Sequence, residues 1–199
     1  MAKGILMILS GPSGVGKGTI KEILKGRINL IESVSATTRK MREGEKHGVS
    51  YFFLSHEEFD KKAENGEFLE YFENFGNKYG TLISVVNENL EKGDVLLEID
   101  VKGALEVKRK LPKTVLIMVA PPKISELKRR LEKRGTETAE EIERRFDLCK
   151  KELEEFENYD YVVINGELEK AVCDVENIIA SEKMKSVNNI AVMKDILNS

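Results

Sequence analysis

The amino-acid sequence contains no tryptophan, and cysteine and histidine each occur only twice among its 199 residues. Cys149 and Cys173 lie far apart without metal-ligand spacing, which argues against a disulfide framework or a zinc centre and favours a reducing compartment. No apolar run approaches the length of a membrane span, and residues 1–4 lead directly into the first predicted strand. We therefore expect a cytoplasmic protein with no targeting segment and no membrane partner.

The sequence also lacks a large excess of either positive or negative charge. The net charge is −3 and the pI is about 5.7, which argues against a general nucleic-acid partner. Charged residues make up 34% of the chain and hydrophobic residues 41%, which is typical of a globular protein with an ionised surface. This length allows one main core with small inserted lobes and leaves the oligomeric state open.

Short apolar runs alternate with helical patterns along most of the chain. Such runs are typical of strands buried on both faces, and the alternation predicts an α/β fold with a parallel sheet covered by helices. The predicted sheet has five strands, at residues 5–9, 30–35, 95–99, 115–119 and 161–164.

Two segments interrupt this alternation. Residues 34–82, the inserted lobe, hold short β-like pieces around one helix, whose start is marked by the capping box Ser55 and Glu58. Residues 124–157, the helical flap, are highly charged and predict two helices with a turn at 134–136 between them. Thr138 and Glu141 form a second capping box there. The tail, residues 183–199, predicts a small amphipathic helix or a frayed end.

The most informative motif is the phosphate loop, residues 11–19, with the sequence GPSGVGKGT between the first strand and the first helix. Glycines let successive backbone N–H groups point at phosphate oxygens, and the following helix adds the positive end of its dipole. Lys17 supplies a charge for the terminal phosphates of a nucleoside triphosphate. The alternative is an ordinary glycine-rich turn. Gly18 stands where a magnesium-binding hydroxyl is usual, so Thr19 or water must replace it.

A second polar set lies in the inserted lobe. Arg39 and Arg42 have the planar guanidinium that suits a phosphate dianion, and Tyr51 and Tyr79 have hydroxyls to donate to the same group. Glu70 stands in an apolar, β-like run. Each of these residues alone fits a surface charge or a tyrosine at the core rim; as a set in one lobe they favour a binding site.

Glu98 and Asp100 end the predicted strand 95–99, and ligands bind at the carboxyl ends of strands in such sheets. Asp100 is therefore a candidate Mg²⁺ ligand, directly or through water, or alternatively a helix cap. Glu98 is a candidate for the substrate lobe or the metal shell.

Together these segments resemble the guanylate kinase family. The resemblance covers residues 4–182 and excludes the tail. It rests on the motifs at 11–19, 35–39, 43–45 with Gly48 and Tyr51, 66–70, 79–81, 98–100 with Gly103, and 134–136. It implies a P-loop kinase with a core (4–33, 83–123 and 158–182), a lobe for the nucleoside monophosphate (34–82) and a helical lid (124–157).

The resemblance implies that the chain transfers the γ-phosphate of ATP to GMP, and also to dGMP, with Mg²⁺ as cofactor, in purine nucleotide metabolism and GMP recycling. The implied ATP-binding residues are Gly11, Pro12, Ser13, Gly14, Val15, Gly16, Lys17, Gly18, Thr19 and Asn165. The implied GMP-binding residues are Ser35, Arg39, Arg42, Tyr51, Glu70, Tyr79, Thr81, Glu98 and Asp100. The implied catalytic residues are Lys17, Arg39, Arg130, Arg134 and Arg145, and the implied metal ligands are Thr19 and Asp100.

Some of these assignments have alternatives in the sequence itself. Arg145 is preferred to Arg144 only by the family pattern, and Asn165 contacts the adenine or ends a strand in a turn. Glu70 suits guanine, because one carboxylate accepts both the N1–H and the exocyclic amine, which adenine does not offer. Rival functions are a small kinase with another phosphorylated substrate, and a non-catalytic interaction module of the same fold.

Overall fold

The computed structural model describes residues 4–74, 76–132 and 139–199. The strands are β1 (Leu6–Ser10), β2 (Ala36–Thr37), β3 (Phe52–Phe53), β4 (Phe68–Asn74), β5 (Asn77–Leu82), β6 (Val95–Glu98), β7 (Val115–Ala120) and β8 (Tyr161–Ile164). The α-helices are α1 (Lys17–Arg27), α2 (His56–Glu64), α3 (Ile83–Lys92), α4 (Val101–Lys110), α5 (Ile124–Glu132), α6 (Ala139–Glu154), α7 (Leu168–Met184) and α8 (Ile190–Leu197). Two short 3-10 helices lie at Glu155–Asn158 and Ser186–Asn188.

The core is a parallel sheet with the strand order β6-β1-β7-β8. Every residue of β1 and β7 is buried, which explains why both segments are apolar at nearly every position. Helices α1, α6 and α7 pack on one face, and α3 and α4 pack on the other. The crossovers bring the carboxyl ends of the strands to one edge, where Leu9 of β1 pairs with Glu98 of β6.

The predicted fifth core strand, at 30–35, is wrong. In the described part of the chain this segment contributes only a single parallel bridge between Ile31 and Val95. After Ile31 the segment is mostly polar, with Val34 as its one apolar residue, and the chain passes on to the inserted lobe. The core sheet therefore has four strands, and the other four predicted strands are confirmed to within one or two residues.

The inserted lobe is built on a second, mixed sheet with the order β3-β2-β5-β4. Helix α2 begins at the predicted capping box, where the backbone N–H of Ser55 donates to Glu58 at 2.7 Å and that of Glu58 donates back to the Ser55 hydroxyl at 3.1 Å. Phe59 of α2 stacks on Phe68 with ring centroids 4.3 Å apart. The β4–β5 register shifts between Phe68 and Glu70, and such a bulge changes the direction of nearby side chains.

The helical flap comprises α5 and α6, and the turn predicted at 134–136 and the cap Thr138 lie outside the described residues. Phe146 and Cys149 lie three residues apart on one face of α6, and both are buried against the core. Phe156, seven residues after Cys149, is instead 51% exposed, because the chain leaves the helix at Glu155.

The tail forms the short helix α8, so the helical alternative is confirmed. None of its residues is buried, and it is therefore not packed as an amphipathic helix. Among the described residues, every helix is too short or too polar to cross a membrane.

Candidate active site

The phosphate loop curls because three of its glycines have left-handed backbones. Gly11, Gly14 and Gly16 have φ angles of 136°, 87° and 95°. A Cβ atom on Gly11 would lie 2.3 Å from the carbonyl oxygen of Val119, so only glycine fits there. Helix α1 begins at Lys17, within the last residues of the loop, and its N-terminus therefore faces the space that the loop encloses.

The Lys17 side chain folds back over this loop. Its ammonium donates hydrogen bonds to the carbonyl oxygens of Gly11 at 2.5 Å and Pro12 at 3.0 Å. Burial lowers the pKa of Lys17, while the nearby carboxylates of Glu98, Glu152 and Asp100 oppose that shift. The positive charge of Lys17 therefore already lies at the phosphate loop in the ligand-free protein.

A residue just after β8 supports the phosphate loop from outside. The buried amide of Asn165, just after β8, donates to the carbonyl oxygen of Val15 at 2.7 Å. A Cβ atom on Gly16 would lie 2.5 Å from the same amide nitrogen, so the contact is close. Asn165 therefore supports the loop backbone, a role that the sequence did not indicate.

From the flap, the Arg145 guanidinium donates to the hydroxyl of Ser13 at 2.6 Å, and the thiol of Cys149 lies 3.8 Å from the carbonyl oxygen of the same serine. Arg144 is exposed, so the structure places Arg145 at the loop. Arg130 donates to the backbone oxygen of Asn165 at 3.3 Å. Arg134 lies outside the described residues.

The inserted lobe brings most of its predicted phosphate ligands together. Arg39 forms a bidentate ion pair with Glu45, at 2.7 and 3.1 Å, and its guanidinium lies 5.5 Å from the centre of the Tyr51 ring. The rings of Tyr51 and Tyr79 are 6.3 Å apart. Arg42 is exposed, and its backbone N–H donates to Glu45 at 2.7 Å. Glu45 thus binds both Arg39 and Arg42, a role for Glu45 that the sequence did not indicate.

Glu70 is a buried carboxylate at the inner end of this lobe. It is 3% exposed and accepts a hydrogen bond from the Thr81 hydroxyl at 2.6 Å. Burial raises the pKa of Glu70 to about 7, and the Thr81 hydrogen bond offsets part of that effect. Gly103 of α4 allows the close approach, because a Cβ atom there would lie 3.2 Å from a carboxylate oxygen of Glu70.

This burial predicts a pH-dependent stability difference in the ligand-free protein. The folded-state pKa of Glu70, about 7, lies above the ordinary value of 4.5 that the carboxyl has in the unfolded chain. The stability that protonated Glu70 confers is therefore present below pH 4.5 and is lost as the pH rises through about 7. The full decrease in the free energy of unfolding is on the order of 3 kcal/mol. The melting temperature of Glu70→Gln, relative to the unchanged protein, should therefore be higher at pH 8 than at pH 5.

Differential scanning calorimetry across that range measures the difference. Glu73→Gln, an exposed change on the same strand, is the matched control and should give a difference that does not vary with pH. A Glu70→Gln difference that stays constant between pH 5 and 8 would show that burial does not penalise the charged carboxylate.

Glu98 and Asp100 lie at the carboxyl end of β6. Asp100 caps α4, with one carboxylate oxygen accepting from the Gly103 N–H at 2.7 Å, so the capping alternative is confirmed. Glu98 forms an ion pair with Lys21 at 3.1 Å and faces Gly18, where a Cβ atom would lie 3.5 Å from its carboxylate.

These oxygen donors fit Mg²⁺, which prefers carboxylates and water. A carboxylate thus occupies the side of the loop where the usual hydroxyl is missing. Thr19 is exposed and lies two residues along the helix from Lys17, about 200° around its axis, so it points away from these acids.

A central cleft of about 370 Å³ lies between the phosphate loop and the inserted lobe. Its walls come from the loop, from the inserted lobe and from the ends of β6 and α6. Its polar lining residues are Ser13, Lys17, Ser35, Tyr51, Glu70, Tyr79, Glu98, Asp100 and Glu152. A neighbouring cleft of about 450 Å³ shares Ser35, Tyr51 and Glu98 and extends to Lys21. Sequence reasoning missed Glu152; its spacing of seven residues from Arg145 on one helix was the available signal.

The chain matches known proteins over most of its length. The family model described as guanylate kinase matches residues 3–182. A guanylate kinase of Clostridioides difficile (strain 630) is 50% identical over 185 residues, which cover 92% of this chain and 90% of that protein. A guanylate kinase of Listeria innocua serovar 6a is 43% identical over 198 residues, covering 98% and 97%. The crystal structure of guanylate kinase from Anaplasma phagocytophilum is similar with a TM-score of 0.70, at 35% identity, covering 92% and 88%.

Proposed function

The chain belongs to the guanylate kinase family, and on that premise we propose that it transfers the γ-phosphoryl group of ATP to GMP, giving ADP and GDP, in purine nucleotide metabolism. The observation that carries the proposal is the central cleft, which has a phosphate loop with its lysine at one end and a buried carboxylate at the other. Phosphoryl transfer between two nucleotides needs these two ends to face each other.

The donor end takes ATP. The backbone N–H groups of the phosphate loop bind its phosphates, and Lys17 neutralises charge on the terminal groups. Arg130 and Arg145 of the flap, with Arg134 by resemblance, add positive charge over the triphosphate. Arg145 already reaches the loop at Ser13, which supports this assignment.

Mg²⁺, when bound, would neutralise charge between the β- and γ-phosphates. We assign it to Asp100 and Glu98 through water. Asp100 keeps one carboxylate oxygen that no hydrogen bond within the described residues uses, and Glu98 faces Gly18. Thr19 is a weaker candidate, because its side chain is exposed on the far side of α1.

The acceptor end takes GMP, with dGMP as a further candidate. Glu70 accepts from the N1–H and the exocyclic amine of guanine, and Ser35 and Thr81 contribute hydroxyls to the same base. These two guanine donors stabilise the charged carboxylate, so they lower the pKa of Glu70 from its value in the empty site. Arg39, Arg42, Tyr51 and Tyr79 hold the phosphate, which then competes with Glu45 for Arg39.

The reaction requires charge neutralisation rather than a catalytic base. The second ionisation of a phosphate monoester falls near pH 6, so the attacking oxygen of GMP is already anionic at neutral pH. Lys17, Arg39 and the flap arginines reduce repulsion between the two nucleotides and stabilise charge on the transferring group. Closure of the lobes over the cleft would exclude water, which would otherwise hydrolyse ATP.

These roles divide the chain into three working parts. We propose that the core (4–33, 83–123 and 158–182) holds the phosphate loop, that residues 34–82 are the GMP-binding lobe, and that residues 124–157 are the lid. The tail (183–199) lies beyond the family match and has no role in this proposal.

A coupled assay with ATP, Mg²⁺ and a panel of GMP, dGMP, AMP, CMP and UMP tests the proposal. We expect turnover with GMP, and a preference over AMP on the order of 10⁴-fold, since adenine leaves the buried Glu70 carboxylate without its two donors. Turnover with another monophosphate instead of GMP would support the rival small kinase. Absence of turnover with every acceptor would favour the non-catalytic module.

A further inference from the structure

Helix α6 presents three polar or polarisable side chains to the phosphate loop. Arg145, Cys149 and Glu152 are spaced by four and three residues and therefore share one helix face. The guanidinium of Arg145 lies 2.6 Å from the Ser13 hydroxyl, and the thiol of Cys149 lies 3.8 Å from the Ser13 carbonyl oxygen. Glu152 lies farther along the same face and lines the central cleft together with Lys17. The helix thus places a cation at Ser13 and a carboxylate in the cleft beside the phosphate loop.

The other charged groups of the cleft already have close partners. The Lys17 ammonium donates to two loop carbonyls, Glu98 pairs with Lys21, and Asp100 caps α4. Within the part of the chain that the structure describes, the Glu152 carboxylate forms no hydrogen bond and no ion pair. It is half-buried, and burial raises its pKa while Lys17 opposes that shift.

An acid at this place faces the space that the terminal phosphates of ATP would enter. Like charges repel most strongly where water is partly excluded. Metal-free ATP carries two more negative charges than its magnesium complex, so the repulsion from Glu152 falls mainly on the metal-free form. A repulsive group of this kind gives specificity by rejecting the wrong ligand.

We propose that Glu152 is a specificity-determining residue that makes the donor site select the magnesium complex of ATP over metal-free ATP. The proposal rests on the proposed function and adds a role for a residue outside the motifs named in the sequence analysis. Glu152 does not need to bind the ion, because its charge acts on the nucleotide through space.

Isothermal titration with ATP tests this, once in excess EDTA and once in saturating Mg²⁺. For the unchanged protein, the two dissociation constants define a selectivity ratio for the magnesium complex. In Glu152→Gln we expect this ratio to fall roughly fivefold, chiefly because metal-free ATP binds more tightly. Glu152→Asp, which keeps the charge, should retain the ratio, and so should Glu154→Gln, an exposed change two residues along the helix.

If the role of Glu152 were purely structural, Glu152→Gln would weaken the binding of both forms of ATP by the same factor. The selectivity ratio would then stay unchanged, and that result would overturn the proposal. Glu152→Ala provides a second neutral side chain and must also lower the ratio. Failure of the unchanged protein to bind ATP at all would instead contradict the proposed function, so the two failures are distinguishable.

Discussion

Replacing Lys17 with alanine should lower kcat for GMP phosphorylation by about 10³-fold. The Lys17 ammonium lies at the loop, within 3.0 Å of two of its carbonyl oxygens, and no other lysine lines the central cleft among the described residues. Its charge is needed most when negative charge spreads over the transferring group. GMP affinity should change little, because the acceptor residues lie across the cleft. Steady-state kinetics and calorimetric titration with GMP measure the two quantities.

Lys25→Ala is the matched control for this variant. Lys25 is exposed on the same helix and pairs with Glu32 at 2.8 Å, away from the cleft. Its kcat should stay within about twofold of the unchanged protein, since exposed ion pairs contribute little. A Lys17→Ala variant that retained full turnover would remove the loop from the mechanism, and one that lost all GMP binding would contradict two separate sites.

Replacing Glu70 with glutamine should reduce kcat/KM for GMP by about 10³-fold. The value of kcat/KM for AMP, which we expect to be low in the unchanged protein, should change only a few-fold. The physical reason is that an amide offers guanine one acceptor and one donor, so one of the two guanine donors meets another donor. Hydrogen bonds to a charged group contribute about 1.5–3 kcal/mol each, and a buried donor left unpaired adds a further cost.

The ratio of kcat/KM for GMP and AMP is the quantity to measure. Glu73→Gln, exposed on the same strand, should leave this ratio unchanged. An unaltered ratio in Glu70→Gln would show that another group recognises the base, and would withdraw the main support for GMP as the acceptor.

Much of the fold follows from local patterns in the sequence. The runs of β1 and β7 are apolar at nearly every position because both faces of the sheet are covered, and that pattern predicts buried strands directly. The segment 30–35 has only a short apolar start, and pairing with β6 stops after Ile31. Whether such a segment extends a sheet depends on where the chain must go next, which here is the inserted lobe.

The candidate site was predictable where one motif contains both position and chemistry, as in the phosphate loop. Contacts between distant segments were not. The bidentate pair of Arg39 with Glu45, the amide of Asn165 beneath the loop, and Glu152 in the cleft each depend on packing between elements. Glu70 is an intermediate case, because the sequence places it in a strand but does not show the bulge before it.

The most direct test of phosphoryl transfer from ATP to GMP is the fate of the γ-phosphate. ATP labelled at that phosphorus, incubated with the protein, Mg²⁺ and GMP, should place the label in the β-phosphate of GDP, with little in inorganic phosphate while GMP is present. Direct transfer across the central cleft gives this distribution of the label. Label that appears in inorganic phosphate, with no labelled GDP, would contradict it.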